Sequence, residues 1–162
     1  MVDLNRENVK GGSMKWKLLA IGAALFAASA FAQDGSGRAK INGEWLEAGA
    51  APGSGESWIL DSKENAIHIK QLHNGQMLAE FECSTLGREC DVKESGRHAK
   101  VSFYFNGAKL VQLETRGAEV VKRRFSVGGQ GDEMEIEVIP VVPAGKPVSA
   151  LFKRAQAGTA PR

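Results

Sequence analysis

The sequence predicts an all-β domain, an antiparallel meander of roughly eight to ten strands closed as a barrel, with a two-sheet β-sandwich as the alternative. Three observations carry this expectation. Between residues 41 and 154 no window of ten or more residues repeats apolar groups at helical spacing; they alternate with period two. Turn residues punctuate that alternation roughly every 8–12 residues. Nearly every connection is short, which makes successive strands antiparallel neighbours. So many short strands leave exposed sheet edges unless the sheet closes on itself, and closure favours the barrel.

The chain opens with residues 1–13, which carry Asp3, Arg6, Glu7 and Lys10 and no periodic pattern. Lys10-Gly11-Gly12 can be encoded as a bacterial ribosome-binding sequence just upstream of the Met14 codon, so translation is expected to begin at Met14. Residues 14–32, MKWKLLAIGAALFAASAFA, have a basic start at Lys15 and Lys17, an apolar core, and small residues at Ala30 and Ala32. This is a signal peptide expected to be cleaved before Gln33, and its apolar core is too short for a preference to span a bilayer. The product is therefore expected in the periplasm or secreted, free of stable membrane insertion. Four of the 21 basic and two of the 19 acidic residues precede Gln33, leaving seventeen of each. A neutral domain gains little from phosphate backbones, which argues against nucleic acid as a partner.

Residues 33–40 read as a flexible polar leader and 155–162 as a disordered tail, flanking a β-domain over 41–154. Expected strands cover 41–47, 56–61, 66–73, 76–83, 89–94, 99–105, 109–115, 119–127, 133–139 and 149–154. Asn74-Gly75 and Asn106-Gly107 each separate two of them, and Asn-Gly suits a type I′ hairpin turn, which needs positive φ twice. Pairing Val127 with Asp132 places Arg124 opposite Glu135, Lys122 opposite Glu137, and Phe125 against Met134 on the other face. Arg123 then falls on the apolar face beside Ile136, as a rim or bulge residue or as a cation facing a cavity.

Catalytic and metal signatures are missing from the sequence. His68, His73 and His98 lie in no nucleophile or metal pattern. Glu133, Glu135 and Glu137 form a period-two ladder beside a basic strand, and Gly128-Gly129-Gln130-Gly131 joins two strands rather than opening a helix. No enzyme and no cofactor is expected. Cys83 and Cys90, the only cysteines, bracket one reversal and are expected to form a disulfide in an oxidising compartment. Trp58, Phe81, Phe103, Phe105, Phe125 and Met134, with Arg123, are the candidate barrel lining. The same apolar groups would serve a filled core.

Gly43-Glu44-Trp45 at the start of the domain and Phe152-Lys153-Arg154 at its end resemble secreted bacterial lipocalin-like (calycin-type) small β-barrel proteins. The resemblance implies that Gly43 and Trp45 build one barrel end, with Trp45 plugged beneath Arg154, or Lys153 as the alternative. It also implies a small hydrophobic ligand inside the barrel. The competing expectation is a protein-interaction or inhibitor-type envelope module with a filled core, its first contact surface the loop 143–147.

Overall fold

A computed structural model describes residues 35–156. The expected over-called start, the signal segment with its cleavage point, and the end of the tail lie outside the described residues. A short helix, α1 (Gly35–Ala39), precedes ten strands: β1 (Gly43–Glu47), β2 (Glu56–Lys63), β3 (Ala66–His73), β4 (Gln76–Ser84), β5 (Leu86–Glu94), β6 (Arg97–Asn106), β7 (Lys109–Arg116), β8 (Glu119–Val127), β9 (Glu133–Val142) and β10 (Val148–Arg154). They form one antiparallel sheet in the order β4-β3-β2-β1-β10-β9-β8-β7-β6-β5. The last strand returns to pair with the first, Trp45 opposite Arg154, so the sheet rolls into a nearly closed barrel rather than a sandwich.

Closure is incomplete at one seam. β4 and β5 end the sheet and face each other without a ladder of backbone hydrogen bonds. Two links pin the seam. Cys83 and Cys90 sit at disulfide distance, their Cα atoms 6.0 Å apart. At the other end of the seam the Ser95 amide donates to the Leu78 carbonyl at 3.1 Å.

Turn chemistry explains the hairpins. Asn74 and Gly75 have φ of 52° and 74°, the double positive φ of a type I′ turn. The second Asn-Gly behaves differently. Asn106 pairs with Lys109, which makes Gly107 and Ala108 the turn residues, and only Gly107 (φ 62°) is positive, as in a type II′ turn.

Two expectations are corrected. The β8–β9 register is two residues off: Arg124 faces Glu137, Phe125 faces Ile136, Arg123 faces Val138 and Lys122 faces Ile139. The loop is wider than expected because Gly128 donates to the Glu133 carbonyl while the Asp132 carbonyl is taken by the Arg154 amide of β10. A shift of two keeps every side chain on its face. Within the expected leader, residues 35–39 are helical, and Ile41 is in no strand; its amide bonds back to the Arg38 carbonyl at 3.2 Å. Two glycines in five residues hid so short a helix.

Period two sorts the faces. Trp58, Leu60, Ile67, Ile69, Val101, Phe103, Leu110, Phe125, Met134, Ile136 and Phe152 are buried inside, whereas Lys70, Glu80, Glu82, Glu133 and Glu135 stand outside. Among the described residues no helix is long and apolar enough to cross a membrane.

Candidate functional site

The barrel end beneath α1 is closed by Trp45, fully buried, whose indole N–H donates to the Ile41 carbonyl at 2.8 Å. The Arg154 guanidinium lies 4.2 Å over the Trp45 ring. Its Nε donates to the Gly131 carbonyl and Nη2 to the Lys40 carbonyl, both at 2.6 Å, and Nη1 to the Asn42 carbonyl. Lys153, the alternative, is exposed. Gly43 is required twice over: its φ is 139°, and a Cβ there would collide with Arg154 Nη1. Asn42 extends the join by exchanging two hydrogen bonds with the Ser62 backbone, at 2.7 and 3.1 Å.

Above this plug lies an apolar layer. Trp58 meets Phe125 edge to face, ring centres 5.4 Å apart, and Phe81 lies 6.2 Å from Phe103. All seven candidate lining residues belong to inward-facing strand positions, but they part company there. Phe103, Phe125 and Met134 are wholly buried in packed core. Phe105 is half-buried beneath the Arg38 guanidinium of α1. Trp58 and Phe81 line a small cavity.

Towards the opposite end, where residues 48–55 join β1 to β2, the inner face turns polar. Leu110 is followed inward by Gln112, Glu114 and Arg116; Phe125 gives way to Arg123, Ile69 to Gln71, and Val92 to Glu94. Arg123 Nη1 donates to Glu114 Oε2, Arg116 Nη2 donates to Glu114 Oε1 at 2.7 Å, and the same nitrogen reaches Glu94. Two cations and two carboxylates thus pair by direct contact inside the mouth. Burial pulls Arg116 down, yet hydrogen bonding to Glu94 and the charges of Glu114 and Glu94 outweigh it, so the guanidinium stays above its ordinary value. Beside them Gln71 Nε2 donates to Glu56 Oε1 at 2.8 Å. Gln112, Glu114, Arg116 and Glu94 escaped the sequence reading, although parity counted onward from Leu110 and Val92 would have placed all four inside.

The cavity lies directly behind the β4–β5 seam, walled by Trp58, Phe81, Val92, Val101, Gln112 and Glu114, and measures about 10 Å³. That volume suits a single small polar atom with its hydrogens. Trp58 Nε1 and Gln112 Oε1 are buried in its wall without hydrogen-bond partners. Gln112 Nε2 makes only a long contact, 3.5 Å, to Glu114. A broader depression lies on the outer face of β2–β4, but its Lys63 and Asp61 pair with each other at 2.7 Å. His68 borders that outer depression, His73 flanks the Asn74-Gly75 turn, and His98 is exposed in β6. Among the described residues no group of three or more His, Cys, Asp or Glu is placed to hold a metal.

No protein-family model matches the chain, and no curated protein matches it either. Solved structures do. A secretory abundant heat soluble (SAHS) protein from Ramazzottius varieornatus superposes with a TM-score of 0.60 at 11% identity, over 72% of this chain and 96% of that one. A Schistosoma mansoni fatty acid binding protein in complex with arachidonic acid gives 0.57 at 16% identity, over 74% and 99%. The REP1-NXSQ fatty acid transporter gives 0.56 at 15%, over 74% and 98%. At such identities the likeness establishes the fold alone, a nearly closed antiparallel β-barrel like those of these structures.

Proposed function

We propose that this protein is a secreted or periplasmic binding module that takes a small hydrophobic molecule at the mouth of its barrel. One observation carries the proposal: a cavity walled by Trp58, Phe81, Val92 and Val101 lies behind the single seam at which the sheet leaves two strands unpaired. Phe81 is only half-buried on β4, so its ring can swing outward and widen the cavity without breaking a ladder hydrogen bond to β5. The fatty-acid names of two structural neighbours agree with such a role and with a non-enzyme. The secreted address rests on residues 14–32 and on the cysteine pair, which needs an oxidising compartment to form.

A protein-interaction module is the second reading, favoured by two features. The layer around Phe103, Phe125 and Met134 is filled, and Val141, Val142 and Val148 are 43%, 48% and 62% exposed on either side of loop 143–147.

Native mass spectrometry of the protein purified without refolding tests the proposal. A reproducible extra mass that solvent extraction removes, on a chain beginning at Gln33, is the expected result. A bare mass, with no shift in thermal midpoint on adding amphiphiles of graded length, would overturn the carrier reading in favour of the interaction module.

A further inference from the structure

The mouth of the barrel states which head group it accepts. Arg123, open in the sequence between a rim or bulge position and a cation facing a cavity, is bound by Glu114, and Glu114 is shared with Arg116, which also reaches Glu94. The two positive charges are matched by two negative ones at contact distance. A ligand carboxylate entering there would meet one buried unpartnered N–H, Arg116 Nε, but it would sit beside Glu114 and Glu94, and freeing Arg123 for it would strand the Glu114 carboxylate.

What the cavity lacks is different. Trp58 is 2% exposed and Gln112 4% exposed; both residues line the same small cavity, and each holds one buried unpartnered polar atom, an N–H donor and a C=O acceptor. Buried polar groups in folded proteins nearly always find partners. A group that completes both must accept one hydrogen bond and donate another. The closed cavity, about 10 Å³, has room for one oxygen, and the apolar body attached to it needs the widening that Phe81 allows. A hydroxyl both accepts and donates, whereas a carboxylate has no proton to donate. Phe81 and Val92, on the two strands of the seam, then border the path of the apolar body attached to it.

Resting on the carrier reading above, we infer that the ligand is an uncharged, hydroxyl-bearing apolar molecule of the alcohol class. Its oxygen accepts from Trp58 Nε1 and donates to Gln112 Oε1, and the Glu114–Arg123 pair acts as a filter against fatty acids.

The test is a matched pair of probes, 1-octanol and octanoate, titrated by calorimetry into the protein at neutral pH. Octanol is expected to bind at least about tenfold more tightly, the cost of one buried polar group left unpaired by the wrong head. Trp58→Phe and Gln112→Met should each lower the octanol-to-octanoate affinity ratio by about tenfold. Glu114→Gln should raise octanoate affinity, because it releases Arg123. Because the readout is a ratio between two ligands on one sample, partial destabilisation of a variant moves both affinities together and leaves the ratio interpretable. Octanoate binding as tightly as octanol, or octanol affinity indifferent to both Trp58→Phe and Gln112→Met, would overturn the inference while the carrier reading stands. Failure of both probes to bind would overturn the carrier reading itself.

Discussion

Arg154 closes the end of the barrel beneath α1 because one guanidinium covers the Trp45 ring and completes three backbone carbonyls. Arg154→Met should therefore cost about 2–4 kcal/mol, a cation–π contact plus carbonyls left unpaired. Gly43→Ala should cost a similar amount in the wild-type background, through positive φ and collision with Arg154. In the Arg154→Met background the collision partner has changed, so the two losses should fall short of additive; urea midpoints that simply add would refute this coupling. These residues were legible because Gly-x-Trp and a terminal basic residue are local signals. A second residue-scale prediction concerns acid. Glu80 is held below its ordinary carboxylate value first by the hydrogen bond from Lys70, against desolvation, with the charges of Lys70 and His68 adding to it. A value lowered by folding contributes stability above the unfolded value and loses it as pH falls through the folded one. The gap in thermal midpoint between wild type and Glu80→Gln should thus be open at neutral pH and close in acid. A gap independent of pH would show that the Lys70 and His68 contacts do not act through charge.

Among the elements the seam between β4 and β5 is the weakest join, since Cys83–Cys90 and one backbone hydrogen bond stand in for a ladder. Joining cysteines that close so short a segment should contribute about 2–3 kcal/mol on loop entropy alone. The double variant Cys83→Ala/Cys90→Ala should lose that much in denaturant titration. Its hydrogen exchange should accelerate along β4 and β5 more than along β6 and β7, which keep full ladders. Uniform acceleration would mean that the pair stabilises the whole barrel rather than its seam. All ten strands were readable in the sequence, because alternation and turn residues are local properties of the chain. The β8–β9 register was not, because the Asp132 carbonyl is claimed by Arg154, a residue twenty-two positions away that no hairpin rule consults. The aromatic lining was likewise visible as period two. The paired mouth was hidden by its charges: Glu114, Arg116 and Glu94 alternate as regularly as the apolar residues before them, yet charged groups are ordinarily assigned to solvent.

On the scale of the whole molecule the barrel is organised along its axis, apolar and packed beneath Trp45 and Arg154, polar and paired at the mouth. Its charges outside and apolar groups inside are the inverse of a strand barrel that crosses a bilayer. Such an axis makes stability and recognition separable. The packed half holds the fold together, whereas Glu114 and Arg123, with side chains 11% and 20% exposed, give up much of their hydration for a contact that similar apolar residues would replace without penalty. Removing Glu114 alone, as Glu114→Leu, leaves Arg123 facing Arg116 in the mouth and should cost about 3 kcal/mol. The double variant Glu114→Leu/Arg123→Met keeps Arg116 on Glu94 and strands no charge. It should recover most of that loss in urea titration and match the wild type or exceed it. At the same time the mouth would lose the carboxylate that turns other carboxylates away, so its preference between octanol and octanoate should narrow. A double variant as unstable as Glu114→Leu would instead make the pair a structural tie, and its place inside the mouth would then owe nothing to what the barrel admits.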